Sequence, residues 1–538
     1  MATFRQRFSL EFKRLAHRAS TLRRIFKLTV IGAACLLTSS CQQNSVPFLP
    51  EFPQIDLLIV NGMVLDGLGN DAIPADLVIV DEQIVFVGKT AFSPAELDKR
   101  VAVRIDAEQR IVAPGFIDLH AHGNPLVTPA LENFLAMGVT TICLGQDGTS
   151  PEVMNLGDWL AEVENNGISI NLAMFVGHGT LRKLTGINRT AEPRPADLLR
   201  MLELLDETLK YTFGMSTGLE YNPGLNAQAA ELEALAKVVG GNDRLIMSHL
   251  RSEDDDQLET SIQELLNQGR FARVHVAHLK SVYGHGSEAA EKILQILNDA
   301  REAGVHVTAD MYPYNASYTG ISIVFPVWAK TTEQFELARL ERRAELETFL
   351  RDKIARRNGP EATLLGTPPY TGKTLGDLAG ELEMPFEQIL IDLIGPQGSS
   401  GAYFVMDDEL QTRLLEDPQI SIASDGRIDG FHPRGHGAFA KIIDEYVNQR
   451  QLFSLAEAVR KMTSQSASIL GLTDRGVIQA GKKADILIFD PAKIKATATY
   501  PEPHQFAEGF DVVIVNGKIA RRADKITDTF FGKVLKPE

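Results

Sequence analysis

Two histidines one residue apart close an apolar stretch near residue 120. The stretch runs Ile111-Val112-Ala113, crosses a Pro-Gly pair, resumes as Phe116-Ile117-Asp118-Leu119 and ends on His120 and His122. Residues i and i+2 of a strand share a face, so both imidazoles project side by side from a buried strand end. Further polar residues follow short apolar runs: Asp147 in GQDG, His178 in VGHG, Glu220 in STGLEY, His249 in IMSHL, His278 and Lys280 in VAHLK, Asp310 and Tyr312 in TADMYPY, Asp425 in SDG. Imidazole nitrogens and carboxylate oxygens suit Zn2+. One arrangement uses four histidines and two carboxylates. His120, His122 and Asp425 hold one ion, His249 and His278 hold a second, and Glu220 bridges the two. Each residue also has a plainer reading. An Asp before Gly, as at Asp147 and Asp425, is commonly a turn or a helix N-cap. A histidine in an apolar strand can bond backbone in the core, and Glu220 before a turn can be solvated.

The elements that must position these groups are strands alternating with helical segments, which implies a parallel sheet. From His122 to Asp310 the candidate positions are separated by 25, 31, 42, 29, 29 and 32 residues. A step near 30 is one strand-helix unit. The step to Asp425 is 115 residues and holds an insertion at about 326–418. Eight such units predict a (β/α)8 TIM-like barrel over 112–473, with its chemistry on the loops after the strands. The polar residues fall at that end of each strand. An insertion there is expected to overhang the pocket as a lid.

Around the barrel the chain changes character. Short strands bounded by Asn61-Gly62 and Asp-Gly turn signals fill 54–111, and a matching set returns at 474–525. Together they predict one small β-sandwich domain built from both termini. Residues 42–53 read as a tether. Residues 1–41 carry eight basic residues against one acid, then a largely apolar run of ten residues from Leu28 to Leu37, and end LLTSSC. The run is too short to span a membrane and fits a signal peptide. Arg23-Arg24 suits a twin-arginine or an ordinary export route. Cys41 stands where a lipoprotein would be acylated, so a periplasmic or membrane-anchored place in a bacterial envelope is expected. The whole chain carries −16 and the leader +7, which leaves −23 on the remainder. Such a surface repels nucleic acid. Of three cysteines only Cys143 lies beyond the leader, so the body has no internal disulfide.

Taken in order, PGFIDLHAHG, GVTT, GHGTLR, GMSTGLEYNPG, SHLRSE, HLKS, YPYNAS, SDGR, HPRGHG and RGVIQAGKKADILIFD resemble the amidohydrolase superfamily, and within it the N-acyl-D-amino-acid deacylases (D-aminoacylases). The resemblance spans Ile55 to Arg522. It implies one or two zinc ions, His120 and His122 at one metal site, His249 and His278 at the other, and Asp425 as the acid-base residue. It implies Lys280, Tyr312 and Arg434 as contacts to the substrate carboxylate. There is one departure. Family members often carry a metal-bridging cysteine in the turn after strand two, where this chain has Asp147. The bridge then passes to Glu220, with Asp147 as second choice. His178 is expected to make a structural hydrogen bond. The implied activity is hydrolysis of N-acyl-D-amino acids to a carboxylate and a D-amino acid. A cyclic-amide or dipeptide hydrolase, and a noncatalytic envelope-anchored binding protein, are the alternatives.

Overall fold

A computed structural model describes residues 54–523 and 525–537. The basic leader, the tether and Cys41 lie outside the described residues. Among the described residues no helix is long and apolar enough to cross a membrane.

Eight parallel strands form the frame: β1 (Phe116–Asp118), β2 (Val139–Leu144), β3 (Asn171–Gly177), β4 (Gly214–Gly218), β5 (Leu245–His249), β6 (Arg273–Val276), β7 (Val307–Met311) and β8 (Ile420–Ile422). Each pairs with the next in sequence, always parallel. β2 (VTTICL) and β3 (NLAMFVG) are buried along their whole length, as strands covered on both faces must be. The helices outside them are amphipathic. Gly286–Glu302 turns Ala290, Ile293, Leu294 and Leu297 inward, a stripe at helical spacing. Leu156–Asn166 starts where the Asn155 side chain accepts the Asp158 N–H, satisfying a free first-turn donor. The barrel closes just past the ends of β1 and β8. There the Asp425 N–H donates to the His120 carbonyl and the His122 N–H to the Gly426 carbonyl, each at 2.8 Å. Closure therefore happens at the rim that carries the candidate ligands.

Both termini supply a second, mixed sheet of nine strands. Its seam is Ile111–Pro114 paired antiparallel with Ile486–Phe489. Leu57, Ile59, Leu77 and Ile79 share one core with Ile486, Ile488 and Ile514. The far edge curls back until Gln83 bridges Lys483, so the two ends of the chain enclose a common apolar interior. Asn61-Gly62 corrects the turn expected there. The strand Ile55–Val64 runs through it as a bulge. Asn61 takes φ 57° and donates from Nδ2 to the Asp106 carboxylate at 3.1 Å. A Cβ on Gly62 would lie 2.6 Å from Val112 Cγ2. The pair serves close strand approach, a use of Asn and Gly that a turn signal does not distinguish.

Between β7 and β8 the chain leaves the barrel. Ser317–Gly320 pairs with Ser400–Tyr403, which pairs with Thr363–Leu365. Helices Thr332–Glu341, Arg343–Arg356 and Leu375–Leu382 belong to this excursion. Helix Asp408–Glu416 then returns to the barrel, where Arg413 pairs with Glu291 at 2.5 Å.

Asp485 ties barrel to sheet. Its carboxylate accepts from Arg475 Nη1 at 2.6 Å, from Asn171 Nδ2 of β3 at 3.2 Å and from the Asn516 N–H at 2.8 Å. Asp485→Ala strands a buried guanidinium, leaving it among the described residues the half-exposed Asp474. The expected cost is about 3 kcal/mol, read as a lower urea midpoint. An unchanged midpoint would remove this tie.

Candidate metal centre and active site

The turn after β2 places the central carboxylate. Gly145 has φ +84° and packs so closely that a Cβ would lie 2.0 Å from the Phe175 carbonyl oxygen. Asp147 itself takes φ 53°. Its carboxylate then stands 3.3 Å from His120 Nε2, 3.5 Å from His122 Nε2, 3.2 Å from His278 Nε2 and 3.8 Å from His249 Nδ1. All four imidazoles of the sequence constellation converge on it. This corrects the expected bridge. Glu220 meets His249 Nε2 at 3.1 Å and, among the described residues, pairs with none of the other three. The left-handed Asp147 turn carries its side chain inward, whereas Glu220 stands beyond β4 on the cavity wall.

Three overlapping donor groups result: His120, His122, Asp147 and Asp425; Asp147, His249 and His278; Glu220, His249 and Glu253. Asp425 completes the first with Oδ1 3.1 Å from His122 Nε2. Asp147, His278 and Asp425 all have positive φ, a strained backbone of the kind that clusters at functional sites. Buried carboxylates lock it. Asp118 accepts from the Ser424 N–H at 2.9 Å and the His120 N–H at 3.2 Å. Asp310 accepts from the His278 N–H at 2.6 Å and His275 Nε2 at 2.9 Å.

The buried carboxylates set the charge state of the rings around them. Burial would lower His122, yet Asp147 and Asp425 outweigh it and hold the ring up at about 9. Burial and Lys280 oppose a charge on His278, yet Asp147 and Asp425 raise it to about 10. Burial keeps His120 below the ordinary imidazole value against the pull of Asp147. Both ring nitrogens of His120 are buried without a hydrogen bond, a costly state for a polar group that lacks a ligand.

The expected substrate contacts share one cavity of about 590 Å³ with His122, Asp147 and Asp425. Arg434, at the start of helix Arg434–Lys441, places Nη1 2.7 Å from Asp425 Oδ2 and donates from Nη2 to the Tyr318 carbonyl at 3.1 Å. Its guanidinium stacks 4.8 Å from the Tyr312 ring centre. Burial opposes ionisation of Asp425, but the charges of Arg434 and His278 overrule it and hold the carboxyl well below its ordinary range. The Tyr312 hydroxyl is buried with no partner, and burial pushes it up to about 12. Lys280 Nζ donates to Glu253 at 2.6 Å and lies 2.8 Å from His278 Nδ1.

Glu253 is a residue the sequence reading passed over. It faces His278 Nδ1 at 3.2 Å, so that a carboxylate orients the ring whose Nε2 points at the donor cluster. Its only sequence mark is a position four residues after His249 in SHLRSE. Tyr221, also unassigned, lays its ring 4.5 Å from that of His249 and accepts from Thr319 Oγ1 of the excursion at 3.2 Å. His178 lies outside the clusters and bonds Glu231 at 2.7 Å. Cys143 is buried in β2 as a free thiol.

Known proteins carry the same plan. The Amidohydrolase family model matches residues 388–521. The chain is 30% identical to an N-acyl-D-glutamate deacylase of Alcaligenes xylosoxydans xylosoxydans, over 86% of this chain and 93% of that one. It is 30% identical to an N-acyl-D-aspartate deacylase of the same organism, over 90% and 95%. The crystal structure of an N-acyl-D-glutamate deacylase from Bordetella bronchiseptica, complexed with zinc and a phosphonate mimic of the tetrahedral intermediate, superposes with a TM-score of 0.77. That match is at 29% identity and covers 90% of this chain and all of the other. With identity of this extent over almost the whole of both chains, and the candidate donor set in place on the barrel rim, this chain belongs to the N-acyl-D-amino-acid deacylase family of the amidohydrolases.

Proposed function

We propose that this chain hydrolyses the amide bond of N-acyl-D-amino acids with one or two zinc ions at the barrel rim. The observation that carries the reading is the convergence of His120, His122, His249 and His278 on Asp147, with Asp425 and Arg434 paired beside them in one cavity. The donors fit zinc. His120, His122, Asp147 and Asp425 would hold one ion, and Asp147, His249 and His278 a second. His120, whose buried Nε2 faces the Asp147 carboxylate at 3.3 Å without a well-formed hydrogen bond, would gain a ligand bond to that ion.

Bound zinc supplies a Lewis acid and a water that ionises near neutral pH. The remaining work falls to this chain's own groups. Arg434, Lys280 and Tyr312 take the α-carboxylate of the substrate, with the guanidinium offering a planar fork that suits it. A carboxylate gripped on one side and an amide held on the other leave one handedness at Cα. Asp425 takes the proton from the attacking water and returns it to the amide nitrogen as the C–N bond breaks. Arg434 touches both Asp425 and the cavity, so the group that receives the substrate also holds the base in place. Glu253 keeps Lys280 charged and His278 oriented.

Dialysis of the purified chain against a chelator is expected to abolish turnover, and added Zn2+ to restore it. Full activity in metal-free protein would end the reading. Matched N-acetyl-D- and N-acetyl-L-amino acids test the substrate: hydrolysis of the D series is expected, and exclusive hydrolysis of the L series refutes it.

The leader supports export, with Cys41 as a lipid attachment point. Cys41→Ser is expected to shift the protein from the membrane to the soluble envelope fraction. Unaltered membrane retention would argue against the anchor.

A further inference from the structure

A second cavity, of about 450 Å³, opens off the first. The two share His122, Gln146, Thr149, Arg427 and Asp429 along their walls, so they meet beside the donor cluster. The rest of the second wall is mostly apolar, with Val127, Leu144, Pro151, Trp159 and Met174. Side chains alternate along the strands here. Cys143 and Phe175 belong to one apolar cluster, and Leu144 and Met174 to another that includes Leu156 and Leu160 of helix Leu156–Asn166. The cavity therefore runs outward from the ring, between the ends of β2 and β3 and that helix. Val127, 73% exposed, marks its mouth. The polar side chains of this wall are turned to the backbone and to each other. Asn124 and Ser150 accept from the N–H groups of Leu126 and Gly177, each at 3.1 Å. Thr128 donates to the Asn124 carbonyl at 3.3 Å, and Arg427 pairs with Asp429 at 2.5 Å. What the wall offers an occupant is apolar surface.

The place of this cavity in the ring says which part of a substrate reaches it. Eight strands in sequence order put β2 and β3 across the barrel from β6 and β7. Lys280 follows β6 and Tyr312 follows β7, and with Arg434 they take the α-carboxylate. A substrate gripped there, with its amide at the donor cluster between, sends its acyl group toward β2 and β3. An acetyl methyl covers little of a cavity whose volume is that of a site for a drug-sized ligand. We propose that the second cavity binds the acyl group of the substrate, making the protein selective for D-amino acids that carry a medium-length apolar acyl group, octanoyl rather than acetyl. The inference rests on the deacylase reading above.

The zinc-loaded full chain decides it through ratios of kcat/KM. Acetyl, butanoyl, hexanoyl and octanoyl amides are compared on D-leucine and on D-glutamate. Each methylene taken from water into the cavity is worth about fourfold, so even a chain partly exposed at the mouth predicts an octanoyl-to-acetyl ratio of about 100 or more. Val127→Asp sets a carboxylate on this wall at an exposed position, and the ratio is expected to fall below about ten, whatever the absolute rate. Trp159→Ala removes apolar wall and is expected to lower the ratio about fivefold or more. A wild-type ratio near one overturns the inference without any variant, and leaves the deacylase reading standing. A ratio that survives both variants also overturns it. A second series keeps the acetyl group and lengthens the side chain from D-alanine to D-2-aminooctanoate. If Val127→Asp lowers the gain along that series and not along the acyl series, the cavity takes the side chain and the inference fails. Failure of the wild type on every compound overturns the deacylase reading, and this inference with it.

Discussion

Asp425→Asn is expected to lower kcat about a thousand-fold or more while the protein keeps its zinc. Asparagine preserves the shape of the side chain but takes no proton from water and offers none to the leaving amine. The ion does not depend on Asp425 alone, because His120, His122 and Asp147 still face one another in the same cluster. Asparagine does leave Arg434 without its anion at 2.7 Å, so thermal stability has to be measured beside kcat and zinc content. A variant that is folded, metal-loaded and still active at the wild-type rate would show that the proton moves elsewhere. A variant that loses its metal would make Asp425 first of all a ligand.

Arg434→Met is the second large effect. Methionine removes the fork while filling much of the space over Tyr312. Loss of two charge-assisted hydrogen bonds to the α-carboxylate is expected to cut kcat/KM by about 100- to 1,000-fold, with Arg434→Lys recovering only part because a point charge cannot reproduce the fork. A control separates this from general damage. On an N-acyl amine, which has no α-carboxylate, wild type and Arg434→Met should differ far less than on the acid. Equal losses on both compounds would refute the carboxylate role. The variant also carries a pH signature. Arg434 is the strongest of the charges holding the Asp425 carboxyl low. Without it the carboxyl takes up its proton at higher pH, so the acid limb of kcat/KM should move upward. A limb that stays in place would mean that Asp425 does not set it.

The elements of the barrel were legible because its physics is local and repetitive. Parallel strands covered on both faces must be apolar throughout, as β2 and β3 are, and each must be followed by a helix long enough to return. That spacing alone places His120, His122, His249, His278 and Asp425 on one rim. The two-ended second domain was legible for a similar reason, since both termini carry short apolar strands with nothing else to pair with.

Other features turn on contacts between residues far apart in the chain. Asp147 reads as an ordinary Asp-Gly turn, and only barrel closure brings His120, His122, His249 and His278 around it. Asn61-Gly62 has the composition of a turn, yet Val112 and Asp106 opposite make it a bulge. Glu253 has only its place in SHLRSE to mark it; its role begins where His278 and Lys280, beyond the end of β6, reach it. Residue type and periodicity determined by themselves which elements form and which end of them bears donors. The tertiary structure decided which carboxylate sits at the centre, because charge pairing depends on distances of a few ångströms that chain spacing does not encode.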